Sequence, residues 1–254
     1  MSADCINDPE EKSQLTALVR VPVPNSSLEK LLFLTSVRDA RPVDGAPAVG
    51  DPIGVVGLGG SLRAGSNSLT ALRVALDGAA AAGANTQLLA VRDLDLPLYT
   101  PEHHIPEAAH RLVEAVSGAE AMIWSSPTYQ GSIGGALKNA LDWLIMLADH
   151  EPPYLTNKPI GLVATAGGVQ GLQAINAMEF SVRALRGWAV PLVLPVAQSW
   201  RVFDPTGRLI DEAIADQLRA LGTEVARAAH QFRRDGTCDY ADGRQFAAPA
   251  STEP

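Results

Sequence analysis

The chain has 254 residues, of which 46% are hydrophobic and 19% are charged, and its formal net charge at pH 7 is −8. This composition is ordinary for a globular protein with a buried core, and the acidic balance argues against nucleic acid or an anionic membrane as the main partner. No apolar stretch approaches the ~18–20 residues that span a bilayer, and the first residues lack the apolar run of a signal peptide. We therefore expect a cytoplasmic protein that binds neither nucleic acid nor membranes.

The two ends of the chain differ in composition from its middle. Residues 1–50 contain one short apolar run, at 31–34, and residues 41–52 are rich in proline, glycine and alanine. This composition is typical of an extension with a linker, either a disordered arm or an arm that packs on a neighbouring subunit. We expect one domain over residues 51–232 and a C-terminal tail over 233–254.

Cysteine and histidine give no sign of a disulfide or a metal site. Cys5 and Cys238 both lie in the terminal segments, and the sequence has no CxxC motif. His103 and His104 are adjacent, but no third ligand stands at a suitable spacing. We expect free thiols, exposed loop histidines and no bound metal.

From residue 53 onward, short apolar runs alternate with longer stretches of helical periodicity. This alternation predicts a parallel sheet with crossover helices on both faces. The predicted strands lie near 53–58, 87–91, 120–125, 160–165 and 191–194, and the predicted helices near 67–82, 107–117, 134–148, 171–188 and 211–232. Five strands spaced in this way predict a flavodoxin-like doubly wound α/β fold with strand order 2-1-3-4-5, in which a ligand lies at the carboxyl ends of the strands.

The segment 57–68 has the layout of a phosphate-binding loop between a strand and a helix. It reads GLGGSLRAGSNS and leads from a buried strand into the first predicted helix. Backbone N–H groups at a helix start are unpaired and lie at the positive end of the helix dipole, and an arginine adds a fork-shaped cation. The expected phosphate ligands are Ser61, Arg63, Ser66, Asn67 and Ser68.

The phosphate loop differs from the common nucleotide-binding motifs. It matches neither the P-loop pattern nor Gly-x-Gly-x-x-Gly. A phosphomonoester such as flavin mononucleotide (FMN) is therefore the candidate ligand. A tight turn with a helix N-cap would explain Ser66 or Asn67 alone, but it would leave Arg63 without a function.

A second loop follows the third predicted strand. Residues 127–132 read PTYQGS, and a helix with the sequence ALKNALDWL begins at residue 136. Here the chain resembles the NADPH-dependent FMN reductase family, whose members carry Gly-Ser-x-Arg-x-x-Ser, then Pro-x-Tyr-x-Gly-Ser, then Ala-Leu-Lys-Asn-x-x-Asp-Trp. The resemblance covers roughly residues 53–232. Gln130 replaces the Asn or His often seen there in the family, which leaves the subfamily and the substrate open.

The resemblance implies that the second loop touches the isoalloxazine ring of FMN. The residues concerned are Pro127, Thr128, Tyr129, Gln130, Gly131 and Ser132. A third, glycine-rich loop follows the fourth strand, and its glycines allow backbone to approach a flat ligand closely. The residues expected to close the far side of the ring are Thr165, Ala166, Gly167 and Gly168. Since the order 2-1-3 places strands one and three side by side, the three loops are expected to converge on one ligand.

The function implied by the resemblance is an NAD(P)H-dependent FMN reductase, with NADPH or NADH as co-substrate and reduced flavin passed to a partner monooxygenase or to a second substrate. Hydride transfer between two cofactors depends on positioning, so no catalytic acid or base is expected. One alternative keeps its FMN and reduces quinones, azo dyes, chromate or organoarsenicals. A distant alternative is a flavodoxin-like electron carrier, whose usual Ser/Thr-x-Thr-Gly-x-Thr loop is missing here.

A homodimer or homotetramer is also implied, since relatives in this family associate through helices near the second loop. The helix over 136–147 is more apolar than one face against a sheet requires, so it is expected to bury a second face in a partner subunit. Trp124 is expected in the core. Lys138 and Asp142 are expected to pair on a helix surface.

Overall fold

The computed structural model describes residues 52–101 and 104–235. The expected N-terminal arm, Cys5, Cys238, His103 and most of the predicted C-terminal tail lie outside these residues. The elements follow in the order β1 (Gly54–Gly59), α1 (Asn67–Ala81), β2 (Asn85–Ala90), α2 (Val91–Leu94), α3 (Glu107–Gly118), β3 (Ala121–Tyr129), β4 (Ser132–Ile133), α4 (Gly135–Asp142), a 3₁₀ helix (Trp143–Leu147), β5 (Pro159–Thr165), α5 (Gly171–Ala184), β6 (Trp188–Val196), α6 (Ser199–Val202) and α7 (Glu212–Asp235).

The five long strands form one parallel sheet in the order β2-β1-β3-β5-β6. Counted without the two-residue β4, this is the predicted order 2-1-3-4-5, and the flavodoxin-like architecture is confirmed. Gly59 pairs with Ser125 across β1 and β3, and Pro127 pairs with Thr165 across β3 and β5. The carboxyl ends of the three central strands therefore meet at one edge of the sheet.

Helices cover both faces of the sheet, and each face has its own hydrophobic core. One core joins the sheet to α3, α4, the 3₁₀ helix and α5, and the other joins it to α1 and α7. Neighbouring residues of β3 enter opposite cores, with Ile123 on the α1 and α7 side and Trp124 on the other, because strand side chains alternate between faces. Trp124 is fully buried, as predicted.

Two glycines let α1 and α7 pack backbone against backbone. A Cβ on Gly222 would lie 1.8 Å from the Ala75 carbonyl oxygen, and one on Gly78 would lie 2.1 Å from that of Arg219. The Thr223 hydroxyl also donates a hydrogen bond to the Gly78 carbonyl (3.2 Å). This close crossing leaves no room for a methyl group, and it fixes the position of α1 against the sheet.

The predicted helix over 134–148 is wrong in its second half. The α-helix ends at Asp142, and residues 143–147 form a 3₁₀ helix whose Trp143, Leu144 and Leu147 are buried within the chain. Ile145, by contrast, is exposed. The apolar excess of this segment is thus absorbed by the chain's own core, so it does not require a partner. Lys138 and Asp142 form the predicted surface pair (2.5 Å).

Several further boundaries differ from the sequence prediction, among them those of β3, which continues to Tyr129, and of β6, which spans Trp188–Val196 instead of 191–194. The predicted helix over 171–188 ends at Ala184, because Arg186 has a left-handed backbone (φ +63°) and β6 already begins at Trp188. The last helix continues to Asp235. Among the described residues, no helix is both long and apolar enough to cross a bilayer, and no group of three or more His, Cys, Asp or Glu side chains is placed to hold a metal ion.

Candidate functional site at the carboxyl edge of the sheet

The segment after β1 is tied to the neighbouring strand and helix before it reaches α1. The Gly60 N–H donates to the Ser125 carbonyl (2.8 Å), which joins the loop to β3. A Cβ on Gly60 would lie 2.5 Å from the Cβ of Leu137, so only glycine lets the loop pass beneath α4 at this point. The start of the predicted phosphate loop is therefore rigidly held.

The serines of this loop are nearly buried and bond mainly within the loop region. Ser66 Oγ and Ser68 Oγ are 2.8 Å apart, the Ser125 hydroxyl donates to the Ser68 carbonyl (2.7 Å), and Ser61 Oγ accepts a hydrogen bond from the Arg63 N–H (3.2 Å). Ser66 occupies the N-cap position of α1, but its hydroxyl does not cap the helix. The positive end of α1 is thus left without a side-chain cap.

Arg63 lies at the exposed tip of the same loop. Within the described part of the chain its guanidinium makes no ion pair and no hydrogen bond, and only its backbone N–H is bonded. Next to it, Gly65 has φ +63°, and the space where a Cβ would stand is open. Asn67 is half-buried at the start of α1. An uncapped helix start and an unpaired guanidinium together favour an anion.

The predicted second loop is a β-hairpin, which sequence reasoning missed. Strand β3 continues to Tyr129, and β4 returns antiparallel from Ser132. Gln130 (φ +48°) and Gly131 (φ +77°) form the two-residue connection. Two successive positive φ values are typical of the type I′ turn, whose twist matches that of paired strands.

The hairpin is anchored at its base and open at its tip. Ser126 Oγ is fully buried, accepts a hydrogen bond from the Gly134 N–H (2.9 Å) and donates to the Pro127 carbonyl (2.9 Å). At the tip, Tyr129 is 56% exposed. The buried Thr128 Oγ1 has no hydrogen-bond partner, although buried hydroxyls are nearly always satisfied.

The third loop begins at the carboxyl end of β5. Thr165 is buried, whereas Gly167 and Gly168 are exposed. The Ala166 N–H donates to the Val196 carbonyl (2.9 Å), so the loop starts in register with β6. The space beside the Gly167 Cα is open, as it is beside Gly131.

All the site residues predicted from the sequence lie on these three segments at one edge of the sheet. They form two groups, one around Arg63 and the start of α1 and one around the exposed glycines of the second and third segments. The unpaired guanidinium of Arg63 suits an anion, and the open space beside Gly131 and Gly167 with the unsatisfied Thr128 Oγ1 suits a flat polar ligand. The residues present therefore fit FMN.

Comparison with known proteins identifies the family of this chain. The family model described as NADPH-dependent FMN reductase matches residues 53–201. The chain belongs to this family. It is 32% identical to an NAD(P)H-dependent FMN reductase of Pseudomonas aeruginosa over 188 residues, which cover 70% of this chain and 97% of that protein. It is 28% identical to an NADPH:quinone oxidoreductase of Arabidopsis thaliana, over 70% of this chain and 92% of that protein.

A solved structure has a similar fold. The structure of a flavoenzyme NAD(P)H:(acceptor) oxidoreductase from Paracoccus denitrificans aligns with a TM-score of 0.59 and 20% identity, and covers 71% of this chain and 98% of that chain. Family membership makes this chain an oxidoreductase that uses FMN and NAD(P)H.

One segment that packs against the loop after β1 was not predicted from the sequence, and it lies beyond the residues that the family model matches. The Asp204–Arg208 turn packs against the phosphate loop: the Thr70 hydroxyl donates to the Gly207 carbonyl (3.0 Å), and a Cβ on Gly207 would lie 3.1 Å from the Gly65 carbonyl oxygen. The sequence DPTG signals a turn. It gives no information about where that turn docks.

A single carboxylate organises this turn. Asp204 Oδ1 accepts hydrogen bonds from the Thr206 N–H (2.8 Å), the Thr206 hydroxyl (2.6 Å) and the Arg208 N–H (3.0 Å). The hydrogen bond from the Thr206 hydroxyl is the main cause that lowers the pKa of Asp204, with smaller contributions from the backbone N–H groups and the Arg208 charge. The turn is therefore held together by an ionised aspartate.

A groove lies at the opposite edge of the sheet. Its volume is about 590 Å³, and Asn157, Arg183, Arg186 and Trp188 are among its lining residues. These residues precede or begin β5 and β6, so the groove is at the amino ends of the strands. Lys158 nearby donates to the Ser117 and Ala119 carbonyls at the end of α3, and burial lowers its pKa. The groove is separate from the phosphate loop and the hairpin.

Proposed function

We propose that this FMN reductase transfers a hydride from NAD(P)H to FMN at the carboxyl edge of its sheet. The observation that carries the proposal is the pairing of two unsatisfied features on one loop. The start of α1 has no side-chain cap, and the guanidinium of Arg63 has no acidic partner among the described residues. Each charge-assisted hydrogen bond to a phosphate contributes roughly 1.5–3 kcal/mol.

In this proposal the loop after β1 holds the phosphate of FMN. The residues involved are Ser61, Arg63, Ser66, Asn67 and Ser68. Arg63 supplies an exposed cation, whereas the buried serines hold the loop in place at the start of α1. Their tight bonding, with Ser66 Oγ 2.8 Å from Ser68 Oγ, supports a mainly structural contribution for these two hydroxyls.

The hairpin and the third loop hold the isoalloxazine ring. The residues involved are Pro127, Thr128, Tyr129, Gln130, Gly131, Ser132, Thr165, Ala166, Gly167 and Gly168. Bound FMN supplies the two-electron chemistry, and the chain supplies position and electrostatics. The exposed glycines allow close approach of backbone, and no side chain is required as an acid or base.

Which molecule finally accepts the electrons depends on whether FMN leaves after it is reduced or stays bound. Our main proposal is that reduced flavin leaves, for instance to a partner monooxygenase, because the glycine loop at Gly167 and Gly168 is exposed. A second candidate is that FMN is retained and a quinone is reduced at the same site. The similarity to a protein named NADPH:quinone oxidoreductase favours this candidate.

One experiment separates these candidates. Purified protein is examined for bound yellow flavin, and oxidation of NADPH and NADH is then followed at 340 nm with added FMN or with a quinone. Colourless protein whose turnover saturates with FMN would support the flavin-releasing reductase. Yellow protein that turns over only with quinone would support the second candidate, and no oxidation with either acceptor would contradict both.

We further propose that the protein is a cytoplasmic homodimer or homotetramer. Helix α5 packs beside the hairpin, and its exposed face carries Leu172 (53% exposed) and Phe180 (69% exposed), eight residues apart on one side of the helix. Tyr129 on the hairpin is also exposed, and we propose that these apolar side chains contribute to subunit contacts. Light scattering coupled to gel filtration would measure the oligomeric state, and a monomer would contradict the proposal.

A further inference from the structure

We propose that Trp200 and Arg201 form the subsite for the adenosine 2′-phosphate half of NADPH. This inference rests on the proposed function, because it concerns the co-substrate of the same site. The sequence offers no acidic or basic residue that is recognisable as reading the ribose of the dinucleotide. The structure places an aromatic ring and a cation beside the loop that we assign to the flavin ring.

The position of the pair is fixed by the connection after β6. The Gln198 N–H donates to the Gly168 carbonyl (2.9 Å), and the Ser199 N–H donates to the Ala166 carbonyl (2.9 Å). Gln198 has a left-handed backbone (φ +47°), which turns the chain directly into α6. Trp200 and Arg201 are therefore bound through the backbone to the loop that we assign to the flavin ring.

The separation suits a dinucleotide. Neighbouring strands lie about 4.8 Å apart, so the end of β6 is roughly 10 Å from the end of β3. A nicotinamide stacked over a ring at β3 and β5 would need room for its adenosine half beside it, and the sheet order makes β6 the next strand beyond β5. The pair lies on that side of the proposed site.

The chemistry of the pair suits an adenine that carries a phosphate. The indole of Trp200 is 62% exposed, and the Arg201 guanidinium lies 4.7 Å from its ring centroid. This cation–π contact pre-orders the arginine, and the exposed ring surface remains free to stack a flat base. In the described ranges Arg201 has no acidic partner, so its charge is available for the 2′-phosphate that distinguishes NADPH from NADH.

The other exposed tryptophan provides a matched control. Trp188 is 56% exposed, but its ring packs against Phe232 with centroids 5.5 Å apart. It stands at the amino end of β6, roughly 26 Å along the strand from Val196, and thus at the opposite edge of the sheet. Both Trp188→Ala and Trp200→Ala remove an exposed indole. Only Trp200→Ala removes the ring that is proposed to stack on the adenine.

The test compares NADPH with reduced nicotinamide mononucleotide, which lacks the adenosine half. With FMN supplied, Trp200→Ala is expected to lower kcat/KM for NADPH about tenfold more than for the truncated donor, and Trp188→Ala is expected to lower both by the same small factor. Arg201→Gln is expected to reduce the ratio of kcat/KM for NADPH to that for NADH about tenfold. Equal losses with both donors in Trp200→Ala would overturn the proposal. Equal losses together with a changed elution volume would assign Trp200 to a subunit contact instead, which also overturns it.

A binding measurement separates this inference from the proposed function. Calorimetric titration with adenosine 2′,5′-bisphosphate is expected to detect one site per chain in the wild type and in Trp188→Ala, with affinity about tenfold weaker in Trp200→Ala. The titration requires no catalysis. If NADPH oxidation is absent but this binding difference is present, the proposed function fails and the subsite stands. Identical affinity in all three proteins, or no binding to the wild type, would overturn the subsite.

Discussion

Gly207 packs directly against Gly65, so that a Cβ on Gly207 would stand 3.1 Å from the Gly65 carbonyl oxygen. The same residue accepts a hydrogen bond from the Thr70 hydroxyl through its carbonyl. One residue of the turn after β6 therefore contacts both the phosphate loop and the first turn of α1. We interpret the Asp204–Arg208 turn as a support for the loop that carries Arg63.

Replacing Gly207 by alanine should weaken FMN binding by displacing the phosphate loop. We expect the Kd for FMN to rise several-fold, because the added methyl meets the Gly65 carbonyl and the backbone (φ +82°) is strained for alanine. The Kd for riboflavin, which lacks the phosphate, should change by less than a factor of two. Fluorescence titration of both ligands measures the two constants.

Gly83→Ala is the matched control for this prediction. Gly83 also has a positive φ (+88°), but the space beside its Cα is open and it lies beyond the far end of α1. Both variants strain the backbone, but only Gly207→Ala places a methyl group against the Gly65 carbonyl oxygen. If Gly83→Ala alters the ratio of FMN to riboflavin affinity as much as Gly207→Ala does, the turn does not act through the phosphate loop.

The contribution of Asp204 should depend on pH in a defined direction. Its pKa is lowered in the folded protein, mainly by the Thr206 hydroxyl. The stabilisation of the turn is therefore fully present above the ordinary aspartate pKa of about 3.9 and is lost as the pH falls through the lowered value. Between pH 5 and 8, FMN affinity should differ between the wild type and Asp204→Ala by a constant factor. A difference that shrinks within this range would show that another group is responsible.

The crossing of α1 and α7 predicts a large effect on stability. Gly222→Ala places a methyl group 1.8 Å from the Ala75 carbonyl oxygen, and such overpacking costs about 1–3 kcal/mol or more. The free energy of unfolding in urea should fall by that amount. Gly118→Ala, at the end of α3 with open space beside its Cα, should leave the free energy unchanged or raise it slightly. Equal values for the two variants would contradict the close crossing.

Much of this architecture follows from local patterns in the sequence. Apolar runs separated by helical periodicity specify five parallel strands, and the resulting order brings the Arg63 loop beside the loop at Tyr129. Such features are encoded within a few residues of the chain. They depend on side-chain alternation and on helix-start chemistry, both of which are readable without tertiary information.

What could not be predicted depends on contacts between distant parts of the chain. The β4 strand has only two residues, and Gln130 is not the asparagine that usually signals a two-residue turn. The 3₁₀ segment after Asp142 is imposed by burial of Trp143, whose ring meets Tyr99 edge to face. The contact between Gly207 and Gly65 joins residues that are 142 positions apart, and no local sequence pattern predicts it.

The central claim is that the phosphate of FMN binds at the uncapped start of α1 together with Arg63. The most direct measurement is the Kd of FMN and of riboflavin for the wild type, for Arg63→Ala and for Arg73→Ala, which removes an exposed arginine further along α1. We expect Arg63→Ala to weaken FMN binding by at least ~2 kcal/mol, roughly 30-fold, with little change for riboflavin and no change in Arg73→Ala. Unchanged FMN affinity in Arg63→Ala would contradict the assignment of the phosphate site.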